Sequence, residues 1–120
     1  MIKRHDLILN VLTDIEEGIG DGISVDILAK KYSLSEVHLR RLFKFTIKQT
    51  MANYIRSRKL MISLVDLLKP ESNLSNIAVY YGFAFDASYI RAFKREFGVT
   101  PGAFRKMRMA KRSRIDRGQF

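Results

Sequence analysis

A run of cations at helical spacing is the stretch whose chemistry is easiest to interpret. Between Ser35 and Lys44 the order is Ser-Glu-Val-His-Leu-Arg-Arg-Leu-Phe-Lys. Arg40, Arg41 and Lys44 follow Val37 at i+3, i+4 and i+7, which places all four side chains on one helical face. An arginine guanidinium can donate two hydrogen bonds to guanine O6 and N7, and lysine binds phosphate oxygens. This face therefore predicts contacts with the major groove of DNA.

The elements that would position this face read as two short helices. Leu39 and Phe43 lie on the opposite, apolar side, so the segment is predicted as a helix that buries one face. Ser35 is a favourable N-cap, because its side-chain oxygen can accept a hydrogen bond from a free N–H of the first turn. Another helix, over about residues 25–32 and capped by Ser24, precedes it after a short turn. Such a pair is typical of a helix-turn-helix.

The charge of the chain agrees with a polyanionic partner. Its 120 residues include 22 Lys and Arg against 12 Asp and Glu, giving a net charge of +10 and a pI near 10.2. Such a balance favours nucleic acid first, an acidic membrane surface second and an acidic protein third. An apolar content of 47% is sufficient for a packed core, so the chain is predicted to fold.

Several function classes are not expected from the residues present. There is no cysteine, and His5 and His38 lack carboxylates at ligand spacing, so no metal site or cofactor is predicted. No nucleophile–base pair, glycine-rich phosphate loop or carboxylate dyad occurs, so the chain is not expected to be an enzyme. No apolar run approaches the length of a membrane span and no signal peptide is apparent, so the expected location is the cytoplasm, at the bacterial nucleoid.

The middle of the chain is predicted as one long helix. Thr50 is its expected cap, and it runs over about residues 51–68 until Pro70 stops it. Residues 60–68 are apolar nearly all round, whereas a surface helix is apolar on one stripe only. This helix is therefore either packed between two bundles or exposes a patch for a partner.

The helix pair recurs after this long helix. Residues 50 positions apart match in type, which indicates a duplicated unit with two DNA-reading helices. The matching pairs are Glu36 and Asp86, Leu39 and Tyr89, Arg41 and Arg91, Phe43 and Phe93, Lys44 and Lys94, Thr50 and Thr100, and Tyr54 and Phe104.

Sequence motifs add a family resemblance. The segments are Tyr54-Ile-Arg-Ser-Arg-Lys-Leu60, Tyr81-Gly-Phe83, Phe93-Lys94 and Phe97-Gly-Val-Thr-Pro101. With them, the chain resembles the DNA-binding domain of AraC/XylS-family transcription regulators, and in size its small standalone members. The resemblance implies an all-α fold of about seven helices, with two homeodomain-like helix-turn-helix subdomains joined by a long linker helix.

The resemblance also implies domain limits. The AraC-type domain would cover residues 6–106, with the first helix-turn-helix at about 24–46, the linker helix at about 51–68 and the second helix-turn-helix at about 74–97. Residues 107–120 would be a basic C-terminal tail, which either extends the last helix or trails as an arm.

Base-reading positions follow from the same resemblance. They are Val37, Arg40 and Arg41 in the first recognition helix, and Asp86, Ala87, Ser88, Ile90 and Arg91 in the second. Phosphate contacts are expected from Lys44, Thr50, Arg56, Lys94, Arg95 and Thr100.

Alternatives stay open for these side chains. The arginines could instead hold phosphates or a neighbouring carboxylate. The apolar residues Val37, Ala87 and Ile90 could touch thymine methyl groups or simply be exposed. Asp86 could accept from cytosine or serve the helix dipole.

Three departures from the family pattern carry expectations of their own. Ser33 and Lys48 stand where the family has glycine, so the first copy is expected to be strained or differently turned. Phe85 replaces a small polar residue, which moves the expected N-cap of the second recognition helix to Asp86 and leaves an aromatic ring near the groove.

The predicted function is a sequence-specific transcription regulator, in keeping with the family an activator. A monomer would bind double-stranded promoter DNA at a bipartite site in two successive major grooves, with RNA polymerase as a further partner and no membrane contact. The alternatives are a non-specific architectural DNA binder, or an interaction adaptor that docks or dimerises through the linker helix.

Overall fold

A computed structural model of the chain describes residues 3–116, with side chains described for residues 3–108 and residue 110. Seven α-helices and no strand occur over that range, so the predicted all-α class is confirmed. No helix in this part is long and apolar enough to cross a membrane. The helices are α1 (Arg4–Gly18), α2 (Val25–Lys31), α3 (Glu36–Ile47), α4 (Met51–Leu67), α5 (Leu74–Tyr80), α6 (Asp86–Phe97) and α7 (Pro101–Asp116).

The chain divides into two compact units within α4. Unit 1 is Met1–Lys59 and unit 2 is Leu60–Phe120. Unit 1 contains the pair α2–α3, and unit 2 contains the pair α5–α6. The region predicted as a basic tail begins inside α7, which continues to Asp116; residues 117–120 lie outside the described part of the chain.

Unit 1 is built around one apolar stripe on each of α1 and α3. Ile8, Val11 and Ile15 of α1 are fully buried, at the i, i+3, i+7 spacing of one helical face. Leu39 and Phe43 of α3 are equally buried. Because these residues occupy the inward side of α3, its cationic side is left for solvent.

Polar contacts hold α2 against α1. The carboxylate of Asp14 accepts hydrogen bonds from Lys31 Nζ at 2.9 Å and from the hydroxyl of Tyr32 at 2.5 Å. Partial burial acts to raise the pKa of Asp14, but the two hydrogen bonds outweigh it and hold that pKa below its usual range. Burial, together with the same carboxylate, raises the pKa of Tyr32 to about 12.

Unit 2 has a larger aromatic core. Tyr89 and Phe93 of α6 are fully buried, and they pack with Leu60 and Leu67 of α4 and Ile77 of α5. The rings of Tyr89 and Phe93 meet edge to face, with centroids 5.8 Å apart. As in α3, the buried stripe fixes which side of α6 faces outward.

The linker helix is not buried all round in unit 2. Leu60, Ser63 and Leu67 are buried there, whereas Met61 is 46% and Val65 64% exposed. The exposed apolar patch, one of the two alternatives for this segment, is therefore present on α4.

The expected strain of the first copy is visible in its backbone. Ser33 and Lys48 have φ angles of 57° and 70°, close to the 84° and 80° of Gly82 and Gly98 in the second copy. The first copy is thus not differently turned. It makes the same turns with residues for which a left-handed backbone is less favourable.

Candidate nucleic-acid interface

The outward face of α3 carries a cationic surface. Ser35 caps this helix, and its Oγ accepts a hydrogen bond from the backbone N–H of His38 at 3.1 Å. Arg40, Arg41 and Lys44 are exposed, and Val37 is 58% exposed beside them. The spacing read from the sequence therefore corresponds to a real surface.

These cations meet the beginning of α4. Arg40, Arg41 and Lys44 line a groove of about 200 Å³ together with Thr50 and Met51. Four of the predicted contact residues are thus gathered around one concavity. Its chemistry, three cationic side chains beside a helix N-terminus, suits the oxygens of a phosphate.

Thr50 is the N-cap at the end of this groove. Its Oγ1 accepts a hydrogen bond from the backbone N–H of Asn53 at 3.1 Å. Other N–H groups of the first turn have no partner within the helix, and they lie at the positive end of the helix dipole. An anion at this end of α4 would be favoured by both effects.

The second recognition helix, α6, exposes three of its five predicted base-reading residues. Asp86, Ala87 and Arg91 are exposed, while Ser88 and Ile90 are half-buried. The carboxylate of Asp86 accepts a hydrogen bond from Ser75 Oγ at 2.6 Å, which ties α6 to α5. This bond engages one oxygen of Asp86 in a structural role.

The corresponding groove of unit 2 differs in its lining. It has a volume of about 400 Å³, and its residues are Leu67, Leu74, Ile90, Thr100, Pro101, Gly102 and Arg105. Thr100 repeats the capping bond, since its Oγ1 accepts from the backbone N–H of Ala103 at 3.1 Å. Ile90 stands where unit 1 has Arg40, so the second groove is largely apolar.

The prediction that Asp86 is the N-cap of α6 is wrong. Phe85 is the N-cap, with extended backbone angles of φ −138° and ψ 152°, and Asp86 is the first helical residue. The carbonyl of Phe85 already accepts from the backbone N–H groups of Ser88 at 3.0 Å and Tyr89 at 3.3 Å. The helix begins there because the backbone closes its first turn without any side-chain cap.

The principal cations are not engaged in salt bridges. Over the described residues, ion pairs occur at Lys31, Arg58 and Lys69. None of these ion pairs involves the five cations of the two recognition helices that are named at the end of this paragraph. The alternative that Arg41 or Arg91 fixes a neighbouring carboxylate is therefore wrong for the described part of the chain. The five cations are Arg40, Arg41, Lys44, Arg91 and Lys94.

Three other arginines lie outside these grooves or serve the fold. Arg56 is exposed on α4 and donates to the side chain of Asn53 at 3.2 Å, and Arg95 is exposed on α6. Arg105 of α7 donates to three backbone carbonyls after α4, at 3.1–3.3 Å. It closes the end of α4, a role that no local pattern in the sequence indicated.

The internal repeat extends to the geometry of each copy. Both first helices have seven residues and both recognition helices have twelve. The backbone N–H of Leu34 donates to the carbonyl of Ala29 at 2.9 Å, and Phe83 donates to Ala78 at the same distance. Each recognition helix ends in a left-handed residue that donates back four positions. The chain thus contains the same helix-turn-helix twice.

Comparison with known proteins identifies the family. A family model described as a helix-turn-helix domain matches residues 28–107. The chain is 34% identical to the regulatory protein SoxS of Salmonella typhimurium over 102 residues, which cover 84% of this chain and 95% of SoxS. The chain belongs to the AraC/XylS family. The resemblance read from the motifs is confirmed, and the protein is a DNA-binding transcription regulator of this family.

A second relative is similar to the chain in sequence, and two solved structures are similar to it in fold. SoxS of Escherichia coli K12 is 32% identical over 104 residues, covering 87% of this chain and 97% of SoxS. An AraC-type regulator from Chromobacterium violaceum has the same fold, with a TM-score of 0.78 at 21% identity over 87% of this chain and 93% of that chain. The DNA-binding domain of AdpA, solved in complex with a target DNA, has a TM-score of 0.78 at 19% identity, over 88% of this chain and 96% of that chain.

Proposed function

We propose that this AraC/XylS-family regulator binds promoter DNA as a monomer, at a bipartite site in two successive major grooves. Recognition helix α3 reads one half-site and α6 reads the other. Adjacent major-groove entries on one side of DNA lie about 34 Å, or roughly ten base pairs, apart. The two half-sites have different sequences, because α3 and α6 present different side chains.

The observation that carries this proposal is the duplication within one chain. Each copy contains a twelve-residue recognition helix whose buried side faces its own core. Each copy also places an exposed arginine at the same helical position, Arg41 in α3 and Arg91 in α6. Many helix-turn-helix proteins obtain two reading helices by dimerising. A chain that contains both needs no second copy.

We further propose that the DNA-bound regulator activates transcription in the bacterial cytoplasm by contacting RNA polymerase. The similarity to SoxS, a regulatory protein, covers nearly the whole length of SoxS. A bound monomer leaves the rest of its surface for contact with the transcription machinery.

Selection of bound DNA from a random pool, followed by footprinting, tests the function. We expect two conserved half-sites about ten base pairs apart, protected by one protein per DNA molecule in sedimentation. The result must hold against scrambled competitor DNA at physiological salt. Equal affinity for scrambled DNA would contradict the proposal and favour an architectural DNA binder.

A dimer through the linker helix is the competing arrangement that a specific observation favours. Met61 and Val65 are exposed on α4 and lie one helical turn apart, where they could meet a partner helix. Sedimentation of the free protein separates the two arrangements. A monomer at micromolar concentration is the expected result. A dimer that Val65→Glu dissociates would overturn the monomeric proposal.

A further inference from the structure

The beginning of α6 lacks the side-chain cap that four other helices have; α1 and α2 also begin without one, but at Lys3 and Ser24, which are polar. Ser35, Thr50, Asn73 and Thr100 each accept a backbone N–H with a side-chain oxygen, at 3.1–3.2 Å. At α6 the equivalent residue is Phe85, which makes no side-chain cap. Serine and threonine are favoured at this position and large apolar residues are not.

The ring of Phe85 is not used by the protein core. Its side chain is 72% exposed, the largest exposed fraction among the exposed large apolar residues of the described chain. The unit 2 core contains Phe83, Tyr89 and Phe93, but not Phe85. The residue therefore gives up a helix cap without gaining burial. Local rules that a fold breaks without compensation tend to mark functional positions.

The chain supplies its own reference for this position. Ser35 is the residue 50 positions earlier, at the same place in the first copy, and it caps α3 there. Both residues have an extended backbone, with φ −71° and ψ 155° at Ser35 and φ −138° and ψ 152° at Phe85, and Ser24 shows that a serine adopts the latter conformation, at φ −132° and ψ 154°. The turn therefore accepts a serine, and the phenylalanine at the start of α6 is not a requirement of the fold.

The location of Phe85 determines what its ring can meet. In helix-turn-helix proteins the N-terminal residues of the recognition helix contact base edges. Ala84 and Ala87 lie on either side of Phe85 in the sequence, are exposed, and have side chains that offer no hydrogen bonds. Asp86 is held by Ser75. The leading end of α6 is therefore mainly apolar, and the apolar group on a base edge in the major groove is the thymine methyl.

We propose that Phe85 is a specificity-determining residue that packs against the 5-methyl group of one or two thymines. These thymines belong to the half-site read by α6, so the inference rests on the proposed function. The first half-site has no such requirement, because Ser35 occupies the equivalent position. The preference is for a methyl group at carbon 5, not for the hydrogen-bonding pattern of thymine.

Replacement of thymine by deoxyuridine tests this inference, because it removes the methyl group and keeps the base pair. Sites selected by the wild-type protein would be synthesised with single replacements throughout both half-sites. We expect one or two replacements in the α6 half-site to weaken wild-type binding about threefold to tenfold. The same replacements should leave the affinity of Phe85→Ser unchanged.

Two further measurements make the test decisive. Phe85→Ser should melt at the same or a higher temperature than wild type, since the exposed ring adds nothing to the core and serine is a favoured residue at a helix N-cap. Tyr80→Ser removes another exposed ring of unit 2, on α5, and should retain the wild-type sensitivity to deoxyuridine. A lower melting temperature of Phe85→Ser would assign the ring a structural role and overturn the inference.

The failure of this inference is distinguishable from failure of the proposed function. Suppose that two half-sites are selected, but deoxyuridine weakens the binding of wild type and Phe85→Ser equally, or weakens the binding of neither protein. The ring then does not read thymine. In that case the exposed ring of Phe85 would be left to contact a protein partner, since it makes no contact with the DNA alone. If no α6 half-site is selected at all, the proposed function and the inference both fall.

Discussion

The hydroxyl of Tyr89 in α6 lies 2.8 Å from Oγ of Ser63 in α4, and both side chains are fully buried. Ser63 Oγ also donates to the carbonyl of Leu60 at 2.7 Å, so the tyrosine hydroxyl is the donor to Ser63. Burial raises the pKa of Tyr89, and this keeps its proton in place. A polar bond inside an apolar cluster therefore fixes the second recognition helix against α4.

This bond predicts unequal costs for its two partners. Ser63→Ala leaves the Tyr89 hydroxyl buried without a partner, which costs about 1–3 kcal/mol. Tyr89→Phe should cost only about 0.5–1.5 kcal/mol, because Ser63 keeps its bond to Leu60. The double variant should be more stable than Ser63→Ala alone. Urea unfolding of the three variants measures these differences. The pairing would be contradicted if the two single substitutions lowered the free energy of unfolding equally and the double variant lost the sum of the two costs.

The cationic side chains predict a defined salt dependence. Lys44→Ala and Lys94→Ala should each lower the slope of log affinity against log salt by about 0.9, the effect of one lost phosphate contact. Lys30→Ala, at an exposed lysine of α2 that lines neither groove, is the matched control. Binding titrations between low and physiological salt provide the slopes. A slope that changes as much for Lys30→Ala as for Lys44→Ala would indicate a diffuse charge effect.

The left-handed residues of the first copy predict a stabilising substitution. Ser33→Gly should raise the free energy of unfolding by about 0.5–1 kcal/mol, since glycine adopts a φ of 57° without steric conflict. Gly98→Ala should lower it by about 1 kcal/mol or more. An added Cβ at Gly98 meets nothing within 4 Å, so only the backbone is tested. Thermal melts of the two variants and wild type measure these changes. If Ser33→Gly destabilised the protein, the backbone of Ser33 would not be strained.

The Asp14 contacts predict an acid-dependent contribution to stability. The folded pKa of Asp14 is lower than its unfolded value, so its stabilisation is present above about pH 4 and is lost as the pH falls through the folded pKa. Asp14→Asn should cost about 1 kcal/mol at pH 7. The difference from wild type should shrink below about pH 4. Asp21→Asn, at an exposed position, should show little difference at any pH, and a pH-independent cost of Asp14→Asn would contradict the linkage.

Much of the fold was predictable because its signals are local. Ser35 and Thr50 mark the starts of their helices, and the spacing of Ile8, Val11 and Ile15 indicates a buried stripe. The repeat doubled this information, since each copy supports the interpretation of the other. The two recognition helices and the orientation of their cationic faces followed from these patterns.

The remaining features depend on residues far apart in the chain. Arg58 makes a two-pronged contact with Glu16, 42 positions away, at 2.6 and 3.1 Å. Arg105 reaches carbonyls more than 30 positions earlier. No local spacing identifies such partners. The wrong N-cap at Asp86 has a different cause, since capping preference favoured aspartate over Phe85 whereas the first turn closes by backbone hydrogen bonds to the carbonyl of Phe85.

The central claim is that α3 and α6 of one molecule read different halves of one site. Site selection with Arg41→Ala and with Arg91→Ala tests it most directly. Each substitution should cost about 1–3 kcal/mol and relax the preference at one base pair. The two relaxed base pairs should lie roughly ten positions apart, one in each half-site. The claim would be contradicted if both variants relaxed the same base pair, or if both weakened all sequences equally.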